Sequence, residues 1–409
     1  MSIVNLNDRP ASADIPYDFI STFHQQKAAF ENNKFPSLNE RRRQLKALKE
    51  ALTDNSDEII AALSKDFGSR CTEETRLSEI SNSVGNIEYA SRHLASWMRT
   101  RSRGTGIWFL PGENKIAPQP RGVVGIIVPW NYPINIAVSG LASAIAAGNR
   151  CIVKMSECTP ASENVLRKII SSVFDNDHIS IVGGEADAAA AFSALPFDHL
   201  MFTGSTRVGR FVMAAAAKNL TPVTLELGGK SPVIVHDQYP IDEFAKRVLW
   251  GKTYNAGQTC IAPDYALLPK GSTENFKVWI SRHFRNHFPE GISSKDYTSI
   301  INTANYDRLT TLVNEAEAEG ATIIRMEDPT PAHIASRKFP LTLVINPNLN
   351  SRVMKEEIFG PIFPIIEVAS TDEAISFVNE RERPLALYLF SNSRRLQEQV
   401  LESTHAGGV

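Results

Sequence analysis

The chain has 409 residues, 43% of them hydrophobic, enough for one large or two ordinary domains with their own cores. Its 43 Lys+Arg against 45 Asp+Glu leave a net charge of −2, which gives no basis for binding nucleic acid or an anionic membrane surface. The 4 cysteines, Cys71, Cys151, Cys158 and Cys260, show neither the close pairs of a zinc site nor the density of a disulfide scaffold, and suit a reducing, cytoplasmic compartment.

The opening MSIVNLNDRPASADIP lacks a basic start followed by an apolar core, so no signal peptide is expected, and no stretch has the apolar length to span a bilayer. Residues 38–100 read as helical: NERRRQLKALKEAL and DEIIAALSKDF carry apolar residues at three- and four-residue spacing. The basic run Arg41-Arg42-Arg43 sits in this amphipathic pattern, which has Leu45, Leu48 and Leu52 on one side, and reads as a solvated helix face. RSRGTGIWFLPGENKIAPQPRG then breaks the helical pattern with Gly and Pro, and residues 105–121 read as a projecting arm or hairpin.

From residue 122 strands alternate with helices. The apolar run 122–128 fits a strand covered on both faces. A helix over 134–147 stops at Gly148, and CIVKM (151–155) is a second strand. Thr159-Pro160 opens the next helix with cap and first-turn proline in the preferred order. ISIV (179–182), HLMFT (199–203) and PVTLE (222–226) complete a set that predicts an α/β fold with a doubly wound parallel sheet. A second α/β cycle comes next in SPVIV (231–235), YALL (265–268), ATIIR (321–325), LTLVI (341–345), PIFPII (361–366) and LALYLF (385–390). Helical patterns lie between, for instance over 241–250 and 371–379. The boundary is placed near Gly228-Gly229, giving a domain over 1–227 and a second over 228–409.

Ligands of doubly wound sheets bind beyond the carboxyl ends of the strands. There the sequence puts PWNYP, KMSE, GSTRVG and ELGG. Each has a structural reading beside a functional one. GSTRVG is an ordinary strand-to-helix turn with Ser205 or Thr206 as N-cap, or a glycine-rich helix start that suits a phosphate. Lys154 and Glu157 are a surface ion pair, or the partners of a ribose. Asn131 braces a turn, or donates to a developing oxyanion. Glu226 caps the helix or turn after it, or serves as a base. Cys260, behind Asn255-Ala256-Gly257-Gln258-Thr259, is a small core residue at a helix start or a thiol presented for reaction. A free thiol has a pKa of roughly 8.5 and needs a nearby charge or helix N-terminus to become a thiolate.

Taken together, PWNYP (129–133), KMSECTP (154–160), FTGSTRVG (202–209), LELGGKSP (225–232), NAGQTC (255–260) and EEIFGP (356–361) resemble the aldehyde dehydrogenase family, in the family's order and from about residue 38 to the end. DEIIAALSKDFGSR, HLASWM and PRGVVGIIVPWNYP are nearer to its coniferyl aldehyde dehydrogenases. The resemblance implies an NAD(P)-binding domain, a catalytic thiol domain and an oligomerisation arm. It makes Cys260 the nucleophile on an aldehyde, Asn131 with the Cys260 backbone N–H the oxyanion donors, and Glu226 the base that activates water for thioester hydrolysis. Lys154 and Glu157 would face the adenosine ribose and Gly204 and Ser205 the pyrophosphate. Glu357 and Phe359 would position the nicotinamide ribose and ring, with Trp130, Val208, Gly209 and Leu227 completing the cofactor site. Glu157 favours NAD over NADP, and Glu226 argues against transfer of the acyl group to coenzyme A. In the family the glycines before Val409 lead into a further strand, an active-site loop and a segment used in subunit pairing. A homodimer is expected with that segment present, and a truncated, non-catalytic nucleotide-binding relative is the alternative.

Overall fold

The computed structural model describes residues 18–409. The expectation about the opening MSIVNLNDRPASADIP lies outside the described residues.

The helical first quarter comprises α1 (Asp18–Asn32), α2 (Leu38–Asp54), α3 (Ser56–Phe67), the short α4 (Thr72–Thr75), a turn of π-helix over Arg76–Ser81, and α5 (Asn82–Trp97). α2 forms where the leucine spacing predicts it. Ser37 caps it by accepting the Glu40 N–H, and Leu45, Leu48 and Leu52 are fully buried. Burial of such a side chain is worth about 1.5–3 kcal/mol. Arg41 is an exception to the solvated-face reading: it is buried and donates to the Ala146 carbonyl at 2.9 Å. The arm is an antiparallel hairpin of β1 (Arg101–Arg103) and β2 (Asn114–Ile116), so it begins earlier than expected. Its tip exposes Ile107, Trp108, Phe109 and Leu110.

The first sheet has the predicted alternation: β3 (Val123–Ile127), α6 (Pro133–Ala147), β4 (Arg150–Lys154), α7 (Pro160–Ser171), β5 (Ile179–Val182), α8 (Ala186–Ser193), β6 (His199–Gly204), α9 (Thr206–Ala217) and β7 (Val223–Leu227). The strand order is β5-β4-β3-β6-β7, parallel throughout. All of β3 is buried, as its unbroken apolar run requires. The Thr159 cap is not formed as expected. The Asp66 carboxylate, from the end of α3, accepts the Ala161 and Ser162 N–H groups at 2.9 and 2.8 Å instead.

The second sheet is built from β8 (Pro232–Val235), α10 (Ile241–Thr253), β9 (Tyr265–Pro269), α11 (Thr273–His287), α12 (Thr303–Ala318), β10 (Thr322–Arg325), α13 (Pro331–Ala335), β11 (Thr342–Ile345), α14 (Arg352–Lys355), β12 (Ile362–Val368), α15 (Thr371–Asn379), β13 (Tyr388–Phe390) and α16 (Arg394–Ser403). Its order is β10-β11-β12-β9-β8-β13, with β10 antiparallel at one edge. The LALYLF strand is shorter than its apolar run: Ala386 and Leu387 precede it and meet Gly408 in a single bridge, with Leu387 N–H on the Gly408 carbonyl at 2.9 Å. The Gly228-Gly229 boundary falls between β7 of one sheet and β8 of the other.

Candidate active site

A cleft of about 2630 Å³ opens over the carboxyl ends of the first sheet. It is lined by the segments after β3 (Trp130, Asn131), β4 (Lys154, Glu157), β6 (Gly204, Ser205) and β7 (Glu226 to Lys230), and by Cys260, Glu357 and Phe359 from the second half of the chain. Chain topology thus brings the expected residues to one cleft. Gly209 is the exception. It lies buried in α9 and does not line the cleft; an added Cβ would meet Leu227 Cδ2 at 2.9 Å, so its smallness serves helix-on-strand packing.

Along the sheet edge, Lys154 is nearly fully buried, with its ammonium on the Gly184 carbonyl and 3.9 Å from the Glu157 carboxylate. Burial lowers its pKa and Glu157 opposes that shift. The pair is therefore not the surface contact of the structural reading: a dry lysine and an exposed carboxylate meet at the cleft wall. Ser205 is the N-cap of α9, accepting the Val208 N–H at 3.4 Å. Its hydroxyl is committed to the helix, while Gly204, Thr206 and Val208 face the cleft.

Cys260 does not start a helix. It sits in an irregular turn after a left-handed stretch, with φ of 50° at Asn255, 51° at Ala256 and 71° at Gly257. An L residue other than Gly or Asn resists that region by about 1–2 kcal/mol, which here falls on Ala256. A side chain at position 257 would strike the Gly360 carbonyl at 2.5 Å, so glycine is required there. Cys260 is half-buried at the cleft, whereas Cys151 is fully buried among apolar residues. Burial, and then the Glu357 and Glu226 charges, raise the Cys260 pKa; the backbone N–H groups of Cys260 and Ile261 oppose this. Among the described residues no helix N-terminus reaches the sulfur to favour the thiolate.

Asn131 is buried and lines the cleft, and its acceptor Oδ1 has no hydrogen-bond partner. Its backbone carbonyl is held by Arg70 Nη1 at 3.0 Å and Asn255 Nδ2 at 3.2 Å. Glu226 is exposed near the end of edge strand β7, paired in register with Thr203. Glu357 lies deeper. Burial, followed by the Asp264 charge, pushes its pKa up to about 7. Its Oε1 is buried without a partner. A Cβ at position 228 would meet that oxygen at 2.3 Å, so the Gly228 backbone is what leaves room for the carboxylate. Phe359 (φ 49°) meets the Trp130 ring edge-on at 5.2 Å.

Sequence reasoning missed the residues that hold these groups. Lys230 ion-pairs Asp264 and donates to the Val353 and Glu356 carbonyls at 2.8 and 2.9 Å. Asp264 accepts the Ile358 N–H at 3.0 Å, and Arg308 donates to the Ile358 carbonyl at 2.7 Å. Together they fix the loop bearing Glu357 and Phe359. Tyr132 and Thr259 share a 2.6 Å hydroxyl contact between the two motif loops. Gln258 donates to the Asn255 and Ser299 carbonyls and accepts the Ile301 N–H. Arg70 and Glu79, both with wholly buried side chains, pair at 3.2 Å beneath the Tyr132 ring. Lys230, Tyr132 and Gln258 stand inside the quoted motifs, and that was their signal. Arg70 ends the quoted stretch DEIIAALSKDFGSR, whereas Asp264 and Arg308 carry no signal in the sequence.

The sequence matches the model of the Aldehyde dehydrogenase family over residues 16–409. It is 41% identical over 413 residues to the coniferyl aldehyde dehydrogenase of a Pseudomonas species, spanning 100% of this chain and 84% of that enzyme. Among solved structures it is similar to Staphylococcus aureus AldH in its substrate-bound state, with a TM-score of 0.90, 36% identity, and coverage of 96% of this chain and 84% of that one. It is also similar to the Mycobacterium tuberculosis aldehyde dehydrogenase complexed with NAD+, with a TM-score of 0.85, 25% identity, and coverage of 94% and 80%.

Proposed function

The chain belongs to the aldehyde dehydrogenase family and is an NAD(P)-dependent aldehyde dehydrogenase, and on that premise we propose that Cys260, Asn131 and Glu226 carry its chemistry. The carrying observation is that these three, from separate stretches of the chain, line one cleft. The family match does not support the alternative of a non-catalytic relative.

The cleft suits the cofactor: it offers an orphaned, buried Glu357 oxygen, a buried lysine and a helix N-terminus. Lys154 and Glu157 would hold the adenosine ribose, and Gly204, Ser205, Val208 and Leu227 would lie by the pyrophosphate. Trp130, Glu357 and Phe359 would frame the nicotinamide end. NAD(P), when bound, accepts the hydride. A carboxylate at Glu157 accepts a hydrogen bond from a 2′-hydroxyl and repels a 2′-phosphate, which supports NAD as the preferred form.

The residues act in order. The Cys260 thiol gives up its proton to solvent water, its sulfur bonds to the aldehyde carbon, and the carbonyl π-bond opens to an oxyanion. The Asn131 amide and the Cys260 backbone N–H stabilise that charge as it develops. Loss of hydride from the carbon converts the thiohemiacetal to a thioester on Cys260. Glu226, exposed to solvent, takes a proton from water as the water oxygen attacks the thioester. The carbon–sulfur bond breaks, the acid leaves, and the thiol is restored.

The coniferyl aldehyde dehydrogenase relative supports an aromatic aldehyde of that kind as substrate. We take residues 1–227 as the NAD(P)-binding domain and 228–409 as the catalytic thiol domain. The apolar arm tip at Ile107–Leu110 supports a homodimer. Among the described residues no helix is long and apolar enough to cross a membrane, and four free cysteines support a reducing, cytoplasmic setting. The test is a panel of aromatic and aliphatic aldehydes assayed separately with NAD and NADP, with and without coenzyme A. Cofactor reduction with release of free acid, fastest with an aromatic aldehyde and NAD, is expected. Absence of reduction with every aldehyde overturns the reading.

A further inference from the structure

The left-handed turn before Cys260 has to be held, since its backbone does not favour that shape unaided. Two of its restraints are internal: Asn255 Nδ2 donates to the Gln258 carbonyl, and Gln258 Nε2 donates to the Asn255 carbonyl. The restraint on the Asn255 backbone comes from elsewhere. Glu74, in α4, accepts the Asn255 N–H on Oε2 at 2.9 Å and the Thr298 hydroxyl on the same oxygen at 3.2 Å. Its backbone carbonyl accepts the Tyr254 hydroxyl at 3.2 Å. Glu74 does not line the cleft, yet it grips the residue whose side chain reaches both the Asn131 and Gln258 carbonyls.

A carboxylate taken partly out of water is a costly acceptor. Burial pushes the Glu74 pKa up to about 7. Arg70 and the Asn255 and Thr298 donors lower it, and Asp296 raises it further. Cys71, Tyr132, Tyr254, Tyr297 and Lys338 also face this charge.

We propose that Glu74 is a positioning residue for the nucleophile: its carboxylate, by accepting the Asn255 N–H, holds the turn that presents the Cys260 sulfur beside Asn131. This rests on the reading of Cys260 as the nucleophile. Glu74 acts at a distance from the cofactor groove, so its loss lowers turnover and thiol presentation without weakening NAD.

The test compares Glu74→Ala, which removes the acceptor, Glu74→Asp, which withdraws it, and Glu74→Gln, which keeps an acceptor oxygen in place. The readouts are thermal melting, kcat, KM for NAD, and the rate of iodoacetamide alkylation mapped to Cys260, with Cys260→Ser as control. In Glu74→Ala and Glu74→Asp, kcat and Cys260 alkylation should both fall at least about tenfold, with KM for NAD within about twofold, and Glu74→Gln should stay within about threefold of the unsubstituted protein. Should Glu74→Ala not fold, the Asp and Gln pair decides alone. A folded Ala or Asp variant with unchanged kcat and alkylation overturns the proposal, as does a folded Gln variant as impaired as Asp. Turnover in Cys260→Ser overturns the nucleophile assignment itself, which is a separate outcome.

Discussion

Asn255 Nδ2 donates to the backbone carbonyl of Asn131 across 3.2 Å, joining two loops 124 residues apart in sequence. One loop carries the proposed nucleophile and the other the proposed oxyanion donor. Their relative placement is therefore set by hydrogen bonds behind the cleft and not only by the walls of the cleft. The expected consequences can each be measured.

Cys260→Ser replaces the thiol with a weaker nucleophile, a hydroxyl of far higher pKa, in the same place. Turnover should fall by at least about 10³-fold. NAD binding, followed by thermal shift, should persist, because the adenosine end of the cleft is untouched. Undiminished activity in this variant removes Cys260 from the mechanism.

Glu226→Gln leaves acyl formation intact and withdraws the base for hydrolysis. Rapid mixing should show a burst of reduced cofactor near one equivalent per site, then a steady rate about 10²- to 10⁴-fold lower. Absence of a burst, with a uniformly slowed first turnover, places Glu226 before the thioester instead.

Asn131→Ala removes the side-chain oxyanion donor while the backbone contacts of residue 131 remain. A loss of about 10²- to 10³-fold in kcat is expected, with little change in the KM for NAD. A change confined to KM contradicts this role.

Glu357→Gln tests the local field. The Glu357 carboxylate titrates at about 7 and, ionised, raises the thiol at Cys260. Neutralising it removes a negative charge that opposes thiolate formation. The midpoint of Cys260 alkylation against pH, measured without cofactor, should therefore move to lower pH. An unmoved or higher midpoint means the two groups do not interact.

Glu74→Gln should also flatten the dependence of stability on pH. The folded-state pKa, about 7, lies above the ordinary glutamate value of 4.5. The folded protein thus holds a proton that the unfolded chain has lost between those values. The stability from that proton is present below about pH 4.5 and is lost as pH rises through 7. The Gln variant should melt above the unsubstituted protein at pH 8 and gain little at pH 5, as read by scanning calorimetry. An equal gain at both pH values rules out titration of Glu74 as the cause.

The strands of both sheets were legible because each is a short apolar run between turn residues, and the alternation with helices implied a parallel, doubly wound sheet; the strand order came only with the structure. Helix α1 was not legible, although Phe19 and Phe23 pack its buried face; its polar sequence DFISTFHQQKAAFEN shows little periodicity. The motif residues were legible as a set by their resemblance. Gly209 shows the limit of that reading, since membership in a motif did not distinguish a cleft residue from a packing residue.

Residue order and apolar spacing carried the architecture, because burial of one face is a local pattern repeated along the chain. The cap of α7 by Asp66, the raised carboxyls of Glu74 and Glu357, and the restraint of the Asn255 turn came only with folding. Each is a matter of distance and solvent exclusion between groups remote in sequence. Glu74 in TEETRL looks like any solvated helix carboxylate until the chain closes over it and leaves the Asn255 N–H within its reach.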